Sequence, residues 1–142
     1  MLRRIAGAVL GLVGALITIT LAQAAMVLVV TPPTPEMIKN PETMRAFVAG
    51  MPAMSYVILA IGYAIGSLVG GFVAGKISGS SGAGFLPAMF VGVVLTCFGI
   101  VNVFVTMPGG PLWAIVLCLV TYIPFSALGN KLAGGKSHIA PA

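Results

Sequence analysis

Chemistry at a protein site needs side chains that titrate, attack or hold metal, and this chain has few. Its only side-chain carboxylates are Glu36 and Glu42, its only histidine is His138, and it contains no aspartate. Glu36 and Glu42 are the one pair that could share general acid–base work. Their context, "TPEMIKNPETMR", reads instead as a hexamer written nearly twice. Thr34-Pro35-Glu36-x-x-Lys39 and Asn40-Pro41-Glu42-x-x-Arg45 each place an N-cap residue, a proline at the first helical position, an acid in the first turn and a base three residues later. That is helix-start chemistry, with the acids favoured by the positive end of the helix dipole. His138 sits near the C-terminus in "GGKSHIAPA" and reads as part of a flexible tail. It has no second histidine or aspartate with which to build a triad or metal cluster. Cys97 and Cys118 lie inside apolar runs and read as small packing residues. The residue types thus point away from an enzyme, with no catalytic residue, metal or cofactor expected.

Glycine and lysine offer a second chemistry. Gly70-Gly71-Phe72-Val73-Ala74-Gly75-Lys76 fits the first seven positions of the phosphate-binding pattern G-x-x-x-x-G-K-[ST], but Ile77 stands where a magnesium-holding hydroxyl belongs. Asn130-Lys131-Leu132-Ala133-Gly134-Gly135-Lys136-Ser137 is a second near match, with asparagine in place of the first glycine. A phosphate cradle needs a loop between strand and helix, where free N–H groups point at the anion. The first stretch continues an apolar helix whose N–H groups are used internally. We therefore expect no nucleotide, and read Lys76 as a lysine that snorkels to the headgroups. The net charge of +5 does not imply nucleic acid either, because the basic residues sit at the ends of apolar runs.

The elements that would position these residues are set by hydropathy. The chain is 59% hydrophobic and 6% charged, against about 25% charged residues in soluble domains. A hydrocarbon core about 30 Å thick needs about 20 apolar residues in a helix. Four stretches qualify, at about 5–30, 53–75, 84–106 and 112–132, uncharged except for Lys131 at the end of the last. Turn signals separate them: Thr31-Pro32-Pro33, Gly79-Ser80-Ser81-Gly82 and Pro108-Gly109-Gly110-Pro111. The expectation is an all-α fold over 1–142, a polytopic membrane protein formed as one four-transmembrane-helix bundle. An outer loop at 31–52 and a tail at 133–142 complete it. The short turn at 107–111 makes spans three and four antiparallel neighbours. Arg3, Arg4, Lys76, Lys131 and Lys136 fall on one side and only Lys39 and Arg45 on the other, which predicts N-in/C-in. Trp113 fits an interfacial anchor. The start "MLRRIAGAVLGLVGALITITLAQA" also has the outline of a cleavable signal peptide, but the apolar run continues through Val30, so a retained span is expected.

Glycine is a poor helix former, yet the second stretch is full of it. Gly62, Gly66, Gly70 and Ala74 recur every four residues along one stripe, with Ser67, Gly71 and Gly75 beside it. The third span carries Gly84, Ala88, Gly92 and Thr96, and the first carries Gly7, Gly11 and Ala15 with Gly14 and Thr18 alongside. Membrane helices associate through small residues that let backbones approach, as in a glycine zipper. Packing is the expected role.

A solute pathway is the alternative. Pro124 frees the carbonyl of Val120 in span four and predicts a kink. Tyr63, Asn102, Thr121, Tyr122, Ser126 and Asn130 are the candidate polar lining, with Thr20, Gln23 and Thr106 as further contributors. Inter-helix hydrogen bonds account for such residues equally well. No acidic side chain lies within the spans, and the one basic side chain is Lys131 at the end of span four, so a proton-coupled exporter built on a membrane-embedded glutamate is not expected. In the outer loop, Met44, Phe47, Val48 and Met51 follow i, i+3, i+4, i+7 spacing, which predicts a short extracytoplasmic amphipathic helix serving as a lid or a docking face.

"GGFVAGKI", the "PLW" opening span four and "YIPFSALGNKLAG" together resemble a family of small, uncharacterised four-span bacterial membrane proteins. The resemblance covers the chain from about residue 50 onward and implies a bacterial inner (cytoplasmic) membrane, with no activity attached. The expected function is a non-enzymatic membrane bundle that self-associates or serves as an accessory subunit of a larger membrane complex, with membrane lipids as its other partners. A passive channel or carrier for a small neutral solute is the second expectation.

Overall fold

A computed structural model of the chain describes residues 1–79, 84–105 and 109–134. Every element within them is helical: α1 (Leu2–Ala25) with a closing 3-10 turn (Met26–Leu28), α2 (Pro35–Lys39), α3 (Pro41–Ala49), α4 (Ala53–Ser78), α5 (Phe85–Val105) and α6 (Leu112–Leu132). Four of these, α1, α4, α5 and α6, are long and apolar enough to cross a membrane. Thr106, Lys136, His138 and the turn residues 80–82 and 107–108 lie outside the described residues.

The bounds differ from the hydropathy reading where charges sit at helix ends. α1 begins at Leu2, so Arg3 and Arg4 belong to its first turn, and α4 continues to Ser78, with Lys76 in its last turn. Hydropathy trims such residues away, but a helix end at the interface can carry a cation whose stem packs and whose head reaches water. Gly84 precedes α5, its carbonyl accepting from the N–H of Ala88. α6 spans 112–132 as expected and stays helical through Pro124.

The two capping hexamers fold as their residues dictate. Thr34 Oγ1 accepts from the Met37 N–H at 3.4 Å, Asn40 Oδ1 accepts from the Glu42 N–H at 3.0 Å, and a proline follows each cap.

α4 is the hub of the bundle, packing mainly on α1 and α6. Its sequence shows why, since 14 of its residues are buried and most of these are glycine, alanine or serine. Gly7 and Gly11 of α1 meet Ala74 and Gly70, while Ala15 and Ala22 meet Gly66 and Gly62, so α1 and α4 run antiparallel. Gly71 and Gly75 meet Ser126 and Asn130, so α4 and α6 run parallel. Gly92 and Gly99 meet Ile123 and Tyr122, which makes α5 and α6 antiparallel neighbours. Ala15, Ile19, Leu59, Tyr63, Val91, Leu95 and Tyr122 form one shared core at the centre. The outward faces stay apolar, as a bilayer requires: Val9, Ile17, Ile65, Phe90, Val101 and Val120 are exposed.

Candidate functional site

The small-residue faces are packing surfaces turned inward within one chain. A Cβ built on Gly62 would lie 2.6 Å from Ala22 Cβ, one on Gly66 2.5 Å from Ile19 Cγ1, and one on Gly70 2.8 Å from Ala15 Cβ. These contacts press α4 against α1. Gly71 and Gly75 serve the other side. At Gly71 a Cβ would fall on the carbonyl oxygen of Ser126, and at Gly129 one would fall on the carbonyl oxygen of Leu68. The backbones of α4 and α6 therefore touch reciprocally, a spacing at which Cα–H···O contacts form. Gly75 and Gly84 both face Asn130 Oδ1, at 2.7 and 2.8 Å from their would-be Cβ positions. Ala88 is fully buried, and a Cβ on Gly92 would lie 3.2 Å from Ile123 Cα.

Gly129 and Gly99 were not in the sequence reading. Gly129 belongs to a small-residue face on α6, with Ser126, Asn130 and Ala133 at i, i+3, i+4, i+7 spacing. The signal is the same as on the other helices. It was hidden because Ser126 and Asn130 also read as polar lining. All four long helices, and not three, thus carry such a face.

The six candidate pathway residues divide into separate groups. Tyr63 and Tyr122 face each other with ring centroids 5.5 Å apart, and Gln23 Nε2 donates to the Tyr63 hydroxyl at 3.3 Å. Gly99 makes room for the Tyr122 ring, its would-be Cβ lying 2.7 Å from Cε2. Asn102 joins them, lining both a cavity of about 30 Å³ beside Tyr56 and Cys118 and a crevice of about 160 Å³ between α1 and α5. The smaller space has room for one or two water molecules. Thr121 is elsewhere, donating to the Cys118 carbonyl of its own helix at 2.7 Å.

Ser126 lies one helical turn beyond Tyr122 and is fully buried, its hydroxyl donating to the Ala88 carbonyl of α5 at 2.5 Å. Asn130 follows a turn later at 1% exposure, and among the described residues its Oδ1 has no hydrogen-bond partner. At this level α4, α5 and α6 are in backbone contact through Gly71, Gly75, Gly84 and Gly129. The polar crevice ends there.

The amphipathic helix closes the opposite end. Val48 is fully buried among Tyr56 and Ala114, with Met44, Phe47 and Met51 packed around them. The Tyr56 hydroxyl donates to the Val48 carbonyl, and Trp113 meets Tyr56 edge to face at 5.9 Å, half-exposed. The apolar face of α3 is therefore spent on the bundle and is covered by it. Lys76 is exposed within a continuous helix, in a segment that has no strand or loop to present free N–H groups to a phosphate. Cys97 is exposed on the outer face of α5 and Cys118 is half-buried.

No protein-family model, no curated protein and no solved structure matches the chain.

Proposed function

We propose that this chain is a non-enzymatic integral membrane protein of the bacterial inner membrane, oriented N-in/C-in, that works by association with copies of itself or within a larger membrane complex. The observation that carries this reading is where the polar groups go. Thr18, Ser67, Thr96 and Thr121 each donate to a carbonyl of their own helix, Ser126 ties α6 to α5, and the two glutamates stand beside helix caps. Hydroxyls satisfied on their own helix offer little to a passing solute. Ser126 is spent between two helices, and Asn130, unpartnered among the described residues, lies in the α4–α6 interface, away from the crevice at Tyr63, Asn102 and Tyr122. The glycine faces are occupied within the chain, so association has to use the apolar outer faces of the bundle.

The crevice at Tyr63, Asn102 and Tyr122 supports a second reading, a carrier for a small neutral solute that rearranges to open past Ser126. The test is the molar mass of the protein extracted with its native lipids and measured by light scattering. A particle heavier than one 14.4 kDa chain with its lipid is expected. A strictly monomeric particle with no co-purifying protein would remove the association reading.

A further inference from the structure

One apolar surface is left open at the end where α1 and α5 begin. Ile5 and Val9 of α1 face Leu86, Phe90 and Val93 of α5 across a groove of about 660 Å³, and among the described residues Arg4 is the one charged residue in its lining. From Leu86 to Val93 the groove runs seven residues, about 10 Å at the rise of an α-helix. One leaflet of hydrocarbon is about 15 Å deep, so a groove starting at the helix ends follows an acyl chain through most of a leaflet.

Apolar lining does not by itself select an occupant in a bilayer, because lipid tails already surround the protein. Charge does. Glu36 and Glu42 both lie between α1 and α4, at the opposite end of the bundle, so among the described residues no carboxylate competes for Arg4. A guanidinium matches the paired oxygens of a phosphate and remains charged at any physiological pH. A zwitterionic headgroup brings its own cation to that place, whereas an anionic one does not.

We propose that this groove holds one anionic phospholipid, with an acyl chain against Ile5, Val9, Phe90 and Val93 and the phosphate on Arg4. The test is native mass spectrometry of the full chain in mild detergent, titrated with equal amounts of dioleoylphosphatidylglycerol and dioleoylphosphatidylcholine. One phosphatidylglycerol per chain is expected, preferred about fivefold, the scale one basic residue gives beside an anionic lipid. Arg4→Gln should abolish the preference while phosphatidylcholine still binds. Val9→Trp, on a position already 54% exposed and therefore compatible with the fold, should displace both lipids. Lys39→Gln, at the other end, should change nothing. Equal binding of the two lipids by wild type, a preference that survives Arg4→Gln, or an unchanged lipid count in Val9→Trp would each overturn the site. So would a protein dimer that Val9→Trp dissociates, since the groove would then belong to a second copy.

Discussion

Gly71→Ala is the sharpest perturbation of this bundle, because the added methyl falls on the Ser126 carbonyl oxygen of α6. Ordinary carbon contacts need about 3.5 Å, so the helices must separate by roughly 1 Å or more. That separation also loosens the Gly129–Leu68 approach in the same α4–α6 interface, and by shifting Ser126 it disturbs the neighbouring hydrogen bond from α6 to Ala88 of α5. Overpacking of this kind costs about 1–3 kcal/mol, and three coupled contacts put the cost at the upper end. Alanine returns about 0.8–1.0 kcal/mol of helix propensity, leaving a net loss of about 2 kcal/mol. Gly14 is the control. A Cβ there meets only Val69 and Val73 methyls, both at 3.8 Å, so Gly14→Ala should keep the propensity gain. The two variants should therefore differ by about 3 kcal/mol, roughly a hundredfold in the unfolding constant. Reversible unfolding in mixed micelles of mild detergent and dodecyl sulfate reads the difference. A Gly71→Ala protein as stable as Gly14→Ala would show that α4 and α6 do not meet backbone to backbone.

Ser126→Ala removes the buried bond to Ala88 and should cost about 0.6 kcal/mol, the usual worth of an inter-helix hydrogen bond in a membrane, by the same unfolding assay. Tyr56→Phe releases α3 from the bundle end, so hydrogen exchange at the Val48 amide should quicken roughly fivefold, equivalent to about 1 kcal/mol, with little change in global unfolding. The proposed orientation, with both termini inside, expects a cysteine placed at residue 40 of intact cells to react with an impermeant maleimide and one at residue 80 not to; the reverse pattern overturns the orientation.

Hydropathy and punctuation made most of the architecture legible. Four apolar runs of bilayer length, separated by Pro and Gly turns, lead directly to α1, α4, α5 and α6, and the two capping hexamers lead to α2 and α3. Stripes at i, i+4 placed Gly62, Gly66 and Gly70 on one face, but periodicity cannot tell which helix that face meets. Only the fold assigns Gly62, Gly66 and Gly70 to α1 and Gly71 and Gly75 to α6. The polar residues were the least legible. Tyr122, Ser126 and Asn130 share one side of α6 and read as a single lining, yet the first borders a crevice while the other two lie in a sealed interface. What separates them is the glycine on the opposing helix, a contact between residues 55 positions apart in the case of Gly71 and Ser126.

The proposed association reading has the bundle closed to solutes below the Tyr63–Tyr122 level. Glycerol entry into liposomes carrying the purified protein, followed by stopped-flow light scattering, measures that closure directly. The expected rate is that of protein-free liposomes of the same lipid, unchanged by Tyr122→Ala. A faster, saturable entry that Tyr122→Ala abolishes would contradict it and establish the crevice as part of a transport path.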